Sequence, residues 1–294
     1  MDDHGKYASF DISTLINNHT IIGESRGHYS KILYLQSNIN NKKLAYKIFG
    51  CNVSNNDRKK EIKLHNIMKH EKIINVYHID MYGILMEYGI PMIELNYKTM
   101  CNIYVTILQI SMALEYLHVN NYVYFDLKQE NVVLVQGEIL SVKLIDIGSC
   151  VHENNIYIND KLNKNTKIVH SKLYCGPELI IEKYKLSAKH DMWSLGVILS
   201  ELSYNCHPYM SVDMHLLDNY DSDIIYNQMA HSYAAETKIF PNNIIIDNYH
   251  YANLTDTFSI KPSEIISKLV QYDPSKRITS TELINILYDM LSPK

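Results

Sequence analysis

The sequence predicts an α+β fold in two lobes, a small antiparallel β-sheet lobe with one main helix and a larger, mainly α lobe. Three observations carry this. Short β-branched and aromatic runs fill Ile21 to about Tyr88, one amphipathic stretch interrupts them, and long helical periodicity begins after Gly89-Ile90-Pro91.

In the first part, Ser30-Lys31-Ile32-Leu33-Tyr34-Leu35 and Leu44-Ala45-Tyr46-Lys47-Ile48-Phe49 read as strands, and the polar break Asn38-Ile39-Asn40-Asn41 reads as the turn of a hairpin. Between Asp57 and His70, the residues Ile62, Leu64, Ile67 and Met68 fall near helical spacing, which predicts the interrupting helix. In the second part, Ile103, Ile107, Ile110, Leu114 and Leu117 step by three and four. The apolar stretch Tyr104 to Val119 is broken by Gln109, Ser111, Glu115 and His118, so a buried helix is expected rather than a membrane span. With no repeat and no low-complexity linker, the two parts are expected to meet along a cleft. The expected division is an N-terminal extension over 1–20, the small lobe over 21–88 and the large lobe over 89–294.

A chain of 294 residues, 46% hydrophobic and 20% charged, can bury a sizeable core. Its formal net charge of -4 comes from 28 basic and 32 acidic residues that are interspersed, which argues against direct nucleic-acid binding and attachment to anionic membranes. The five cysteines (Cys51, Cys101, Cys150, Cys175, Cys206) are odd in number and form no C-x-x-C pair, so a reducing, intracellular setting is expected, cytoplasmic or nuclear. The acidic start Met1-Asp2-Asp3-His4 leads into no apolar run and predicts no signal peptide. Tyr is frequent at 24 residues against a single Trp, and Asn, Ile and Lys are abundant; this is the usage of AT-rich genomes, such as those of large DNA viruses or parasites.

The chemistry is concentrated in Tyr122-Val-Tyr-Phe-Asp126-Leu-Lys128-Gln-Glu-Asn131-Val-Val-Leu134 and in Val142-Lys-Leu-Ile-Asp146-Ile-Gly148. Phosphoryl transfer needs a carboxylate to orient the acceptor hydroxyl, a cation against the moving group, and oxygen ligands for Mg²⁺. Asp126, Lys128, and the pair Asn131 and Asp146 suit those tasks in turn, and Gly148 would let the chain turn beside the metal ligand. Each residue alone reads equally well as an ordinary loop or turn-capping group. The assembled string, between apolar flanks, is what singles them out.

This pattern resembles the eukaryotic protein kinase superfamily from about Ile21 to Leu291, and the template for that family assigns the same roles, so roles and resemblance count as one observation. The resemblance implies the bilobal kinase fold, ATP and Mg²⁺ as cofactors, and a protein substrate. It places Lys47, in Leu44-Ala45-Tyr46-Lys47, on the α- and β-phosphates with Glu61 as its ion-pair partner. It makes Met86 the gatekeeper beside the adenine, with the Glu87 carbonyl and the Gly89 amide bonding the base. Ile22, Ser25, Gly27, Ser30, Ile32 and Ala45 would lie over the nucleotide. Ser171 would bridge Lys128 and Asp126, Gly176-Pro177-Glu178 would end the activation segment, Asp191-Met-Trp193 would anchor the catalytic loop, and Arg277 would pair with Glu178. Lys128 in the loop resembles serine/threonine kinases.

The departures are specific. In Ser25-Arg-Gly27-His-Tyr-Ser30 only the middle glycine of the expected three remains, which predicts weaker nucleotide binding. Phe125 stands where the family carries the arginine that receives an activation-segment phosphate, so phosphorylation at Thr166 or Ser171 is not expected to be the main switch. Ile147 replaces the Phe of Asp-Phe-Gly, Gly176 replaces an Ala, and His65 falls where an apolar residue is usual. An active kinase is weighed against a pseudokinase scaffold and against a small-molecule kinase of related fold. The stretch Val212 to Ser259, rich in Asp, Asn and Tyr, is either a partner surface or a solvated loop system.

Overall fold

The computed structural model describes residues 18–27, 30–94, 99–135, 141–158, 161–180, 185–205, 207–208 and 258–292. Apart from Phe258 and Ser259, the stretch proposed as a partner surface lies outside the described residues.

Among the described residues, the small lobe is a five-stranded sheet ordered β1-β2-β3-β5-β4, with β1 (His19–Arg26), β2 (Ser30–Ser37), β3 (Lys43–Phe49), β4 (Val76–Ile79) and β5 (Gly83–Glu87). Every pairing in it is antiparallel. Side chains alternate between faces with period two. Leu33, Leu35, Leu44, Tyr46 and Leu85 therefore share one face, while Ile32, Tyr34, Ala45, Phe49, Ile84 and Met86 share the other. Lys47, between Tyr46 and Ile48, falls on the second face, which is the one turned to the large lobe. The turn before β3 is where the sequence puts it: Asn41 has φ 58°, a left-handed conformation that Asn tolerates, and Ile39 is 84% exposed.

Helix α1 (Asn55–Ile67) starts at Ser54, whose side chain accepts the Asp57 amide at 3.1 Å. It ends three residues short of the expected His70, and its buried face is Glu61, Leu64 and His65, while Ile67 is 50% exposed. Apolar spacing finds Leu64 and, just past the helix end, Met68, both 4% exposed, but misplaces Ile67, because Glu61 and His65 hold the rest of the face.

The large lobe is built on α2 (Met100–Val119), α3 (Pro177–Ile180), α4 (Lys189–Tyr204), α5 (Pro262–Leu269) and α6 (Ser280–Leu291). Ile103, Ile107, Ile110, Leu114 and Leu117 of α2 join Trp193, Leu195, Ile198, Leu269, Leu283 and Leu287 in one core. By length and composition α2 could cross a membrane, but 61% of its apolar window is buried, the burial of a core helix. A second sheet, β6 (Ile90–Pro91), β8 (Val132–Val135) and β9 (Ser141–Leu144), lies under the first, and β7 (Tyr122–Val123) pairs with β10 (Val151–His152). The Ile74 amide donates to the Leu144 carbonyl and the Leu144 amide to the Lys72 carbonyl, each at 2.9 Å, which ties the loop after α1 to β9.

Candidate active site

The loop between β7 and β8 is held from below by Asp191 at the start of α4. Its fully buried carboxylate accepts the Tyr124 amide at 2.8 Å and the Phe125 amide at 2.9 Å, and His118 Nε2 lies 2.9 Å away. Phe125 takes φ 67°, which turns two successive amides onto one carboxylate and presents Asp126 on the other side. The Asn131 Nδ2 group donates to the Asp126 carbonyl at 2.7 Å and to Asp126 Oδ2 at 2.9 Å. Lys128 Nζ stands 3.2 Å from Asp126 Oδ2 and donates to Ser171 Oγ at 2.8 Å, whose hydroxyl donates to Asp126 Oδ1 at 2.7 Å.

Above this loop Lys47 Nζ donates to Glu61 Oε1 at 2.7 Å and to Asp146 Oδ1 at 2.8 Å. Lys47 and Glu61 are nearly enclosed, whereas the Asp146 side chain is 44% exposed and opens to the cleft. Burial opposes the Lys47 charge, but Asp146 and then Glu61 outweigh it and hold the ammonium far above the usual lysine range. Burial likewise works against the Asp146 carboxylate, and Lys47 pulls it below its ordinary value.

The sharp turn expected at Gly148 is taken by Asp146 itself, at φ 52°. Gly148 has another use: a Cβ there would stand 3.0 Å from Glu61 Cδ, so the absent side chain leaves room for the ion pair. Ile147 is fully buried in the large-lobe core. His65 is buried with Nε2 3.9 Å from Glu61 Oε1; burial, then the Lys47 charge, lowers it to about 3, and it stays neutral above that.

Ile32, Ala45, Met86 and Val133 share one apolar cluster between the two sheets, a slot roofed by β2 and β3 and floored by β8. Val133 was not anticipated, although its place two residues after Asn131 in an apolar run was a usable signal. At the edge of the slot, a Cβ on Gly89 would stand 2.6 Å from Val133 Cγ2, so only glycine lets this backbone rest on the floor. Over the cleft, Ser25 faces Ile32 across the β1–β2 ladder, and the Gly27 amide donates to the Ser30 carbonyl at 2.9 Å. Ile22 does not join the slot cluster. A register shift between Ile21 and Gly23 leaves it 42% exposed.

The protein kinase domain model matches residues 16–288. The chain belongs to the protein kinase family. It is 27% identical over 287 residues to a probable serine/threonine-protein kinase MARK-A of Dictyostelium discoideum, covering 92% of this chain and 24% of that protein. It is 29% identical over 219 residues to the serine/threonine-protein kinase pakC of the same organism, 68% of this chain and 43% of that protein. It is 30% identical over 179 residues to an Aurora kinase, also of Dictyostelium discoideum, 60% of this chain and 37% of that protein. The chain thus spans less than half the length of each of these curated relatives.

Two further groups brace this site. Arg277 donates to Glu178 Oε1 and Oε2 at 2.7 Å each, to the Lys189 carbonyl at 2.8 Å, and sits 4.9 Å over the Trp193 ring. Burial opposes the Glu178 charge, but Arg277 holds this carboxyl far below the usual range. A Cβ on Gly176 would stand 2.5 Å from Glu178 Oε2, so in this backbone a side chain there would press on the carboxylate that Arg277 holds. Glu201 of α4 accepts from Gln129 Nε2 at 2.7 Å and from the Tyr174 hydroxyl at 3.0 Å, joining the loop that carries Asp126 to the segment that ends at Glu178.

The donor set fits Mg²⁺. Asn131 has its Nδ2 turned to Asp126, which leaves its Oδ1 as the atom that could take a cation, and Asp146 adds an accessible carboxylate. Among the described residues no three His, Cys, Asp or Glu side chains gather into a metal cluster. Two such oxygen donors suit an ion that keeps phosphate and water ligands, as Mg²⁺ does.

Proposed function

We propose that this chain transfers the γ-phosphoryl group of ATP to serine or threonine hydroxyls of protein substrates, with Asp126 as catalytic base. The carrying observation is that Lys47 meets both Glu61 and Asp146 within 2.8 Å while Asp126, Lys128, Asn131 and Ser171 interlock beneath them. Lys47, kept charged, holds the α- and β-phosphates. Asp146 and Asn131 would hold Mg²⁺ brought with ATP, which would offset charge on the phosphates. Lys128 meets the γ-phosphate. Asp126, oriented by Asn131 and Ser171, positions the acceptor hydroxyl and takes its proton. Ile32, Ala45 and Val133 sandwich the base beside Met86, and the Glu87 carbonyl and Gly89 amide read its edge. Lys128 and the relatives' names support serine/threonine specificity. The division at 88/89 stays part of this reading, with the small lobe starting no later than His19, where β1 begins, and an intracellular location is supported by the odd number of scattered cysteines in the sequence.

The serine-substituted hairpin favours a second reading, a scaffold with the same fold. Thermal stability with and without ATP and Mg²⁺, measured beside phosphate transfer to a generic basic protein, separates the two. Wild type is expected to be stabilised and to transfer phosphate, and Asp146→Ala to do neither. Stabilisation without transfer selects the scaffold.

A further inference from the structure

The Glu87 side chain has contacts that its backbone role in base binding does not require. From the end of β5 it reaches Lys143 of β9, Oε1 to Nζ at 2.5 Å, with the two side chains only 11% and 9% exposed. The same oxygen accepts the Asn75 amide at 2.7 Å, and the Asn75 carbonyl accepts the Glu87 amide at 3.0 Å. One carboxylate therefore joins the last residue of β5, the loop after α1, and the strand that runs into Asp146. Lys143 is also the direct ladder partner of Val133, the residue on which Gly89 rests.

We infer that Asn75, Glu87 and Lys143 form a latch that positions the hinge backbone for the nucleotide base and keeps it in register with Asp146. This rests on reading the cleft as a nucleotide site. A buried carboxylate deprived of its cation is driven toward water. Loss of Lys143 thus swings Glu87 outward, frees the Asn75 amide and lets the segment Glu87-Tyr88-Gly89 reorient. Its carbonyl and amide must then be ordered when the base binds, so affinity falls through lost preorganisation. Neither side chain contacts Asp126, Lys128 or Lys47, so the chemical step is spared.

The test uses the full chain as wild type, Lys143→Met, Lys143→Arg and Glu87→Gln. Steady-state kinetics with ATP and Mg²⁺ run beside amide hydrogen exchange of the hinge without nucleotide. Lys143→Met is expected to raise KM for ATP about tenfold with kcat nearly kept, and to speed exchange at the Asn75 and Glu87 amides. Lys143→Arg is expected to keep both near wild type. Glu87→Gln, which retains an acceptor for Asn75 but no charge, is expected to raise KM severalfold and serves if Lys143→Met does not fold. Unchanged KM with unchanged exchange overturns the latch, as does a parallel fall of kcat and melting temperature at constant KM. A wild type that binds no ATP overturns the nucleotide reading instead, and exchange alone then decides whether the latch holds the hinge.

Discussion

Arg277 and Glu178 share two bonds of 2.7 Å in an enclosure where neither side chain is more than 1% exposed. Removing one partner of such a pair strands a buried charge. Arg277→Ala is therefore expected to cost about 3–5 kcal/mol, read as a lower midpoint of urea unfolding. Among the described residues Glu201 is the opposite case, a buried carboxyl without a cation. Burial pushes it up to about 7, against the pull of Gln129 and Tyr174. Between its ordinary value and that one, the folded state holds a proton that the unfolded chain has released. The stability from this group is complete below the ordinary value and is lost as pH rises through about 7, a change of at most about 3 kcal/mol. Melting temperature from pH 5 to pH 8 is expected to fall more steeply in wild type than in Glu201→Gln; equal slopes would refute this linkage.

At the scale of elements, the activation segment is held by apolar packing. Val123, Phe125, Val151, Ile156 and Leu186 form one buried cluster, with Tyr157, Ile168 and Leu179 against it, and the Phe125 ring lies 5.3 Å from His190. Phe125 thus anchors with its ring the segment that an arginine would hold through a phosphate. Phosphatase-treated protein is expected to keep its rate, whereas Phe125→Ala lowers it; a large drop on phosphatase treatment contradicts the packing account. Elements whose determinants are local were legible in advance. Strands β2 and β3 follow from period-two alternation, and the catalytic loop from one contiguous string. The buried face of α1 was not fully so, because beside the expected Leu64 the residues Glu61 and His65 occupy positions that a hydrophobic pattern skips. Nor was the place of Ile22, since a one-residue bulge leaves no compositional trace.

For the whole molecule, the two-lobed architecture was readable from the change of periodicity near Gly89. The links between lobes were not readable from pattern, because they join residues far apart in sequence. Lys47 and Asp146 are separated by 99 positions and Glu87 and Lys143 by 56. Family resemblance brought Lys47 and Asp146 separately to the phosphates, but their contact, like that of Glu87 and Lys143, is visible only in three dimensions. Those links make a single site from a sheet and a helical lobe, the site proposed to transfer phosphate. The most direct test follows radiolabelled phosphate from ATP onto serine and threonine of a basic protein, comparing wild type with Asp126→Asn at equal folded concentration. Transfer by wild type, with a loss of about 10²–10⁴-fold in the variant, is the expected result. Background incorporation by both, or equal rates from both, would contradict the account.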